Sequence, residues 1–227
     1  ILLKNVNTDG KNSTKYKDSF GSEIVSSFLF NSSYPLISEG QTFDDYFIPQ
    51  ISMRYSPNNM KNLSSSARRI GISNIWALNR IGASDTIESG QSLTVGAEYK
   101  KIKKKQNKDK NKISSTDFLK LELATVFRDE VNSNLPKSST IGNKSSDIVG
   151  SLNIRPNNIL NLDYNFSADN SLDHLKYNEL SANFNVNNFI TNFKYLEEND
   201  GIGSEKYIQN NTSFKINKNS SLYFSTR

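Results

Sequence analysis

The chain has 227 residues and a formal net charge of +5, and only 35% of its residues are hydrophobic. This apolar fraction is low for a compact soluble core of that length. No stretch approaches the ~20 consecutive apolar residues of a transmembrane helix, which excludes a helical membrane protein. The absence of cysteine excludes a disulfide framework and a thiolate metal site. The chain starts at Ile1 and ends in "STR", so we expect a segment of a longer protein.

Alternation of apolar and polar residues predicts β-strands along most of the chain, and no helix is required. The pattern is clearest in "ILNLDYNFSAD", residues 159–169, where leucine and aromatic residues alternate with Asn, Asp and Ser. In chain order, the predicted strands lie at 23–31, 46–56, 91–102, 119–127, 147–155, 160–168, 179–186, 189–197, 206–217 and 221–227.

The length and spacing of these strands favour a membrane barrel over a soluble sandwich. Most have roughly 9 to 13 residues, whereas globular strands usually have ~5 to 6 and tilted transmembrane strands ~9 to 11. Tight turns such as "PNN" at 156–158 alternate with longer loops at 57–90, 129–146 and 170–176, as in an up-and-down barrel. The fold class that we predict is all-β, with roughly ten antiparallel strands of a larger transmembrane barrel.

The polar face of these strands carries mainly short side chains, which suit a confined, wet interior better than an open soluble surface. With that orientation, the positions predicted to face the lumen are Asn161, Asp163, Asn165, Ser167, Glu179, Ser181 and Asn183. A register shift of one residue would exchange the lumen and lipid faces.

The lysines are concentrated in "YKKIKKKQNKDKNK", residues 99–112. A block of like charge is typical of a solvated loop, and the alternative is a patch for phosphate or anionic lipid. We therefore predict a Lys-rich loop insertion at 101–116, on the rim that otherwise carries the short turns.

Two sets of residues in the sequence are of types used in catalysis. Asp85 and Glu88 could act as paired acids, but loop acids are usually solvated. His174 beside Asp173 could activate a serine, although neither a nucleophile elbow nor a metal-type histidine pair is present. We predict no enzyme, no catalytic residue, no metal and no cofactor.

Three arginines precede or begin the polar stretch at 79–90: Arg68, Arg69 and Arg80. Their planar guanidinium groups could bind phosphate or anionic lipid headgroups. The simpler interpretation is that they pair with Asp85 and Glu88 within the same loop.

The segment "NIWALNRIGASDTIESGQSLTVGAEYK", residues 74–100, resembles the loop-to-strand signature of the lipopolysaccharide-assembly outer-membrane family LptD, also called the organic solvent tolerance protein family. The matching positions are Asn79, Arg80, Gly82, Asp85, Glu88, Gly90, Leu93, Thr94, Gly96 and Tyr99. Two further stretches are similar to strands of that family: "IPQISMRYSP" at 48–57, and "LELATVFRD" with "SDIVGSL" at 121–129 and 146–152. The Lys-rich segment departs from the family pattern.

The resemblance implies that residues 1–227 belong to a single barrel domain of the outer membrane of a Gram-negative bacterium. It implies a translocon component that transports lipopolysaccharide and inserts it into the outer leaflet. The implied partners are lipopolysaccharide, an LptE-like lipoprotein plug and a periplasmic bridge protein. Residues 79–90 would form an ordered external loop in which glycines permit positive φ. Leu93, Val95, Ala97 and Tyr99 would face lipid, and Thr94, Gly96 and Glu98 the lumen.

Three alternatives remain open at this point. The first is another large outer-membrane barrel, such as a porin or a siderophore receptor. The second is a soluble β-sandwich that binds glycans or acts as an adhesin. The third, which the sequence favours least, is an outer-membrane lipase built on His174.

Overall fold

The computed structural model describes residues 1–11, 18–105, 114–199 and 204–227. These residues form twelve antiparallel strands and one short helix, which gives an all-β fold. The elements are β1 (Leu2–Thr8), β2 (Gly21–Ser33), β3 (Leu36–Glu39), β4 (Phe43–Ser56), α1 (Ile72–Ile75), β5 (Gly90–Lys105), β6 (Ser114–Arg128), β7 (Ile148–Ile154), β8 (Leu160–Ala168), β9 (Leu175–Val186), β10 (Phe189–Glu198), β11 (Glu205–Lys215) and β12 (Ser221–Thr226).

The strands form one sheet in the order β1-β2-β4-β5-β6-β7-β8-β9-β10-β11-β12, and β3 pairs with β4 beside β2. β2 and β3 meet β4 in the same register, because Ser33 lies opposite Gln50 and Leu36 lies opposite Phe47. They therefore act as one long strand interrupted at Pro35. Among the described residues the sheet does not close, since β1 and β12 pair with only one neighbour each.

All ten predicted strands are present, with shifted ends, and two strands and a helix were not predicted. β1 was missed because the adjacent residues Leu2 and Leu3 break the alternation at its start. β3 has only four residues and follows directly on Pro35, so no period can be read from it. α1 is a single turn, shorter than any segment in which a helical period can be recognised.

The long and short connections alternate as the sequence predicts. Long connections follow β4, β6 and β8, at 57–89, 129–147 and 169–174, whereas tight turns lie at 155–159, 187–188 and 216–220. Because successive strands are antiparallel, the long connections share one rim of the sheet and the tight turns share the other. We call them the long-loop rim and the short-turn rim.

The Lys-rich segment is partly strand. β5 continues to Lys105 and β6 begins at Ser114, so both ends of the predicted insertion at 101–116 are paired strand instead of loop. The central part of that prediction, 106–113, lies outside the described residues. Near the short-turn rim, Lys104 is 2.8 Å from Asp44 and Lys101 is 3.3 Å from Asp45.

The hydrophobic core lies between the sheet and the two longest connections. Ala124 and Val126 of β6 and Val149 of β7 pack against loop residues from both connections. The loop residues of this core are Met60, Leu63, Ile70, Ile75, Ile81, Ala83, Leu135 and Ile141, with Ile72 and Trp76 at its edge. We call the sheet face that they cover the inner face.

The opposite, outer face is apolar and exposed. On β4 to β6 it carries aromatic and aliphatic side chains that include Phe47, Met53, Val95, Leu123 and Phe127. No helix in the described part of the chain combines the length and the apolar character needed to cross a membrane.

Candidate functional site: a locked loop over a polar inner face

The segment 79–90 folds as an ordered loop that leads into β5. Gly82 and Gly90 have φ values of +60° and +84°, the left-handed region that glycine adopts without steric cost. The Gly82 amide donates to the Asn79 carbonyl at 3.1 Å, and the Asn79 side-chain amide donates to the Ala83 carbonyl at 3.2 Å. Gly82 and Asn79 thus fix the turn that precedes the two acids, and Gly90 lies after the acids, where the loop enters β5.

Glu88 is the centre of a buried charge cluster, which we call the arginine lock. Arg80 donates from Nε to Oε2 of Glu88 at 2.7 Å and from Nη2 to Oε1 at 2.5 Å, a bidentate pair. Arg128 of β6 donates to the same Oε1, and Nε of Arg54 on β4 lies 3.9 Å from Oε2. All four side chains are at most 7% exposed.

The remaining donors of the lock tie the loop to three strands. Arg80 donates to Thr94 Oγ1 at 3.2 Å and to Ser92 Oγ at 3.0 Å, both on β5. Arg128 donates to the carbonyl oxygens of Ile141 and Ser89, at 2.6 and 3.2 Å. In addition, Arg54 donates to the carbonyl oxygens of Ala77 and Leu78. The connection at 57–89 is therefore held by side chains of β4, β5 and β6.

Three guanidinium groups share one carboxylate, so the lock holds an excess of positive charge in a buried place. The oxygen atoms of backbone carbonyls and of the Ser92 and Thr94 hydroxyls accept hydrogen bonds from these arginines, which partly offsets the excess positive charge. Burial lowers the pKa of Arg80 to about 10, which still leaves its guanidinium charged at neutral pH. Removal of the single anion would leave buried cations without a counter-charge, which typically costs ~3–5 kcal/mol.

The sequence-based predictions for the acids and arginines are partly right. Arg80 pairs with Glu88, as the simpler interpretation held. The expectation that Glu88 is solvated is wrong, because the guanidinium groups that surround it exclude water. Arg68 instead donates to the Ile81 carbonyl at 2.8 Å, and Arg69 pairs with Glu198 at the end of β10. Asp85 is half-buried in the loop.

Two members of the lock were not recognised from the sequence. Arg54 and Arg128 lie within strands that were predicted, but neither was singled out. Their positions in the sequence could have identified them. Each arginine occupies an inner-face position at the end of a strand that is followed by a long connection. A long charged side chain at that place has to find a partner in the connection that covers it.

Gly96 provides room for the tryptophan of the covering loop. A Cβ at this position would lie 2.9 Å from Cζ2 of Trp76 and 2.9 Å from Cβ of Ala124, and it would overlap the Leu123 carbonyl. The signature glycine on β5 therefore lets the Trp76 ring approach the inner face. Its neighbours Thr94 and Glu98 also lie on that face, whereas Leu93, Val95, Ala97 and Tyr99 lie on the outer face.

The polar positions of β8 and β9 share the inner face with Thr94 and Glu98, since the register links them strand by strand. Asn165 and Ser167 on β8 and Glu179 on β9 line a cavity of about 690 Å³ together with Arg69, Lys120, Glu122, Ser151 and Tyr177. The remaining predicted lumen positions lie nearer the short-turn rim: Asn161, Asp163, Ser181 and Asn183. We call this space the inner cavity.

Charged and amide groups on the wall of the inner cavity pair with one another at its surface. Glu179 accepts from Lys194 at 2.5 Å and from the Tyr177 hydroxyl at 3.0 Å. Lys120 lies 3.0 Å from Glu122 and 3.5 Å from Glu98. These side chains are partly exposed, so the wall combines both signs of charge with amide and hydroxyl groups.

A second cavity of about 210 Å³, the rim cavity, lies closer to the long-loop rim. Its wall is formed by both long connections and the ends of β8 to β10, and it carries Lys137, Ser139, Asp147, Lys176 and Glu198. Lys176 is 2.9 Å from Asp147, which joins the connection after β6 to β9. Arg69, Ile70 and Ser167 line both cavities and separate them.

His174 lies apart from this site. Its side chain is 82% exposed, and Nδ1 is 3.3 Å from Asp169 instead of Asp173. The backbone amide of Asp173 also donates to Asp169, at 3.0 Å. The structure therefore uses Asp169 to shape the turn between β8 and β9, and Asp173 does not orient the imidazole.

An antiparallel sheet with long strands, an apolar outer face and a polar inner face covered by long loops defines the class of transmembrane β-barrel proteins. A search of curated proteins gives no match. The family model described as LptD, LPS transport system D, matches residues 2–222.

The chain therefore belongs to the LptD family, an outer-membrane β-barrel family of Gram-negative bacteria that acts in lipopolysaccharide transport. It is a family of transport components and not of enzymes. The resemblance seen in the signature segment is confirmed.

Proposed function

We propose that this chain forms part of the wall of an outer-membrane translocon that carries lipopolysaccharide and inserts it into the outer leaflet. The observation that carries the proposal is the polar inner face beside a cavity of about 690 Å³, on a sheet whose outer face is apolar. Amide, hydroxyl and charged groups there can form hydrogen bonds with the sugar part of such a lipid. The family match supports the same substrate.

The arginine lock belongs to this function as the anchor of the covering loop. It holds the connection at 57–89 over the inner face from three strands, so hydrophilic material that moves along the inner cavity meets a fixed wall. The signature positions Arg80, Glu88, Thr94 and Gly96 then serve one purpose, which is to seat this loop. No covalent chemistry is needed.

In the proposed assembly, the lumen-facing positions are Asn161, Asp163, Asn165, Ser167, Glu179, Ser181 and Asn183. An LptE-like lipoprotein plug and a periplasmic bridge protein complete the translocon. Residues 1–227 belong to a single barrel domain in the outer membrane of a Gram-negative bacterium. The shared inner face of β8 and β9 supports the first statement, and the family match supports the others.

Site-specific photocrosslinking in cells tests the proposal in the full-length protein. Probes at Asp163 and Asn165 on the inner face are compared with probes at Tyr164 and Phe166, which alternate with them along β8 and face outward. Adducts that carry lipopolysaccharide are expected at the first pair and not at the second. A protein that reaches the outer membrane but gives no adduct at Asp163 or Asn165 would contradict the proposal and favour an ordinary porin or receptor.

A further inference from the structure

The two cavities of the inner face share part of their lining, and one of the shared side chains contacts a residue of each cavity. Arg69, in the connection at 57–89, lines both of them. Its guanidinium pairs with Glu198, which lines only the rim cavity, and lies 3.8 Å from the ring centre of Tyr177, which lines only the inner cavity. The side chain thus lies over Tyr177 and Glu198, which are paired across β9 and β10, at the boundary of the two cavities.

Arg69 differs from the arginines of the lock in being accessible. Its side chain is 26% exposed and that of Glu198 is 12% exposed, whereas the Arg80 side chain is fully covered. Because solvent reaches the Arg69 guanidinium, a dissolved anion can reach it as well. A second anion that enters either cavity can therefore compete with Glu198 for the guanidinium.

The backbone beneath Arg69 is fixed, so a change of partner requires only a movement of the side chain. The Arg69 carbonyl accepts from Nδ2 of Asn74 at 3.2 Å. The preceding carbonyl, of Arg68, accepts from the Ser138 hydroxyl at 2.9 Å. One contact within the connection at 57–89 and one with the connection at 129–147 therefore hold the backbone, while the long Arg69 side chain can change its rotamer.

We propose that the Arg69–Glu198 pair is a gate between the inner cavity and the rim cavity, and that Arg69 exchanges Glu198 for an anionic group of a saccharide that passes between them. The planar guanidinium of Arg69 can bind phosphate or carboxylate through parallel hydrogen bonds. In the absence of transported saccharide, the Glu198 carboxylate occupies the place of that anion. The proposal rests on the proposed function, because it takes the saccharide to be part of the transported lipid.

The test uses full-length protein in cells, with photocrosslinking probes at Asn165 in the inner cavity and at Lys137 in the rim cavity. The quantity measured is the ratio of lipopolysaccharide adduct at Lys137 to that at Asn165. Arg69→Gln should lower this ratio roughly tenfold, the effect of one lost charge-assisted hydrogen bond. Arg68→Gln is the matched control, because Arg68 donates to the Ile81 carbonyl and lines neither cavity.

Removal of the other partner should act in the opposite direction. Glu198→Gln leaves Arg69 in place without its resting partner, so the ratio should rise. If the pair were only structural, both variants would change the ratio in the same direction. A ratio that is unchanged or raised in Arg69→Gln, or lowered in Glu198→Gln, would overturn the gate. If Arg69→Gln fails to assemble, the Glu198→Gln result decides alone.

The same probes separate this proposal from the proposed function. An absence of lipopolysaccharide adduct at Asn165 in the unmodified protein would contradict the transport function itself. Normal adduct at Asn165 with a ratio that does not respond to Arg69→Gln would contradict the gate and leave the transport function standing.

Discussion

The part of the chain up to Ala168 and the part after it use the same sheet in different ways. Every buried side chain of the described residues lies in the first part, where two long connections cover the inner face. After Ala168, the positions of β9 to β11 are half-buried or exposed, and every position of β12 is exposed. A single curved layer cannot bury side chains on its own, so the loops create the core and the later strands remain a wall.

A substitution in the arginine lock should lower the free energy of unfolding far more than a similar substitution on the wall. Glu88→Gln should reduce the free energy of unfolding of the loop-covered part by ~3–5 kcal/mol, because three buried guanidinium groups lose their carboxylate. Urea unfolding of the full-length protein in lipid vesicles measures the loss. Limited proteolysis shows whether the connection at 57–89 is released.

Glu179→Gln is the matched control on the wall. Its carboxylate pairs with Lys194, and both side chains are partly exposed, so the expected cost is at most ~1 kcal/mol. Equal losses for the two variants would show that the loop-covered part and the wall do not differ in the way described.

Truncation of the loop core should have the next largest effect. Ile75 belongs to the covering loop, is 1% exposed and packs in the core, so Ile75→Ala should cost ~2–5 kcal/mol through lost burial and a residual cavity. Val131→Ala, in the neighbouring connection but 62% exposed, should change the unfolding free energy by less than ~0.5 kcal/mol. A small effect at Ile75 would mean that the loop contributes little to the core.

Addition of one methyl group at Gly96 should be moderately destabilising. Gly96→Ala places a Cβ against Trp76, Ala124 and the Leu123 carbonyl, and overpacking of this kind costs ~1–3 kcal/mol. The fluorescence of Trp76 should also change as its ring is displaced. Gly71→Ala is the control, since a Cβ there meets nothing within 4 Å. Equal behaviour of the two variants would contradict the proposed role of Gly96.

Loss of a single polar side chain on the wall should have the smallest effect on stability. Asn183 on β9 accepts from Asn192 across the strand pair, and Asn183→Ala should cost ~0.5–1 kcal/mol in the same urea assay. If the inner face contacts sugar, Asn183→Ala should also lower the yield of lipopolysaccharide adduct at Asn165, even though the free energy of unfolding changes little. A stability loss comparable to that of Glu88→Gln would place Asn183 in a core instead of on a wall.

Alternation in the sequence was sufficient to predict the sheet and its two faces. Thr94 and Glu98 lie on the face opposite Leu93 and Tyr99, because successive side chains of a strand point to opposite sides. The ten predicted strands follow from the same rule. It failed only where the period is too short or is broken, as at Leu2 and Leu3.

Local sequence patterns could not predict the contacts of the arginine lock. Glu88 meets Arg128 forty residues later in the chain, and this contact depends on how β5 and β6 pair and on how the connection folds back over them. Arg69 meets Glu198 over a separation of 129 residues for the same reason. The charged residues of the loop are visible in the sequence, but the strands that supply their partners follow only from the tertiary fold.

The partial exposure of the charge pairs on the wall gives the two parts of the chain different responses to ionic strength. Added salt weakens pairs that contact solvent, such as Lys194 with Glu179, because mobile ions screen exposed charges. The buried contact of Arg80 with Glu88 is screened much less. The inner cavity should therefore adjust its electrostatic character to the surrounding medium while the loop above it stays in place.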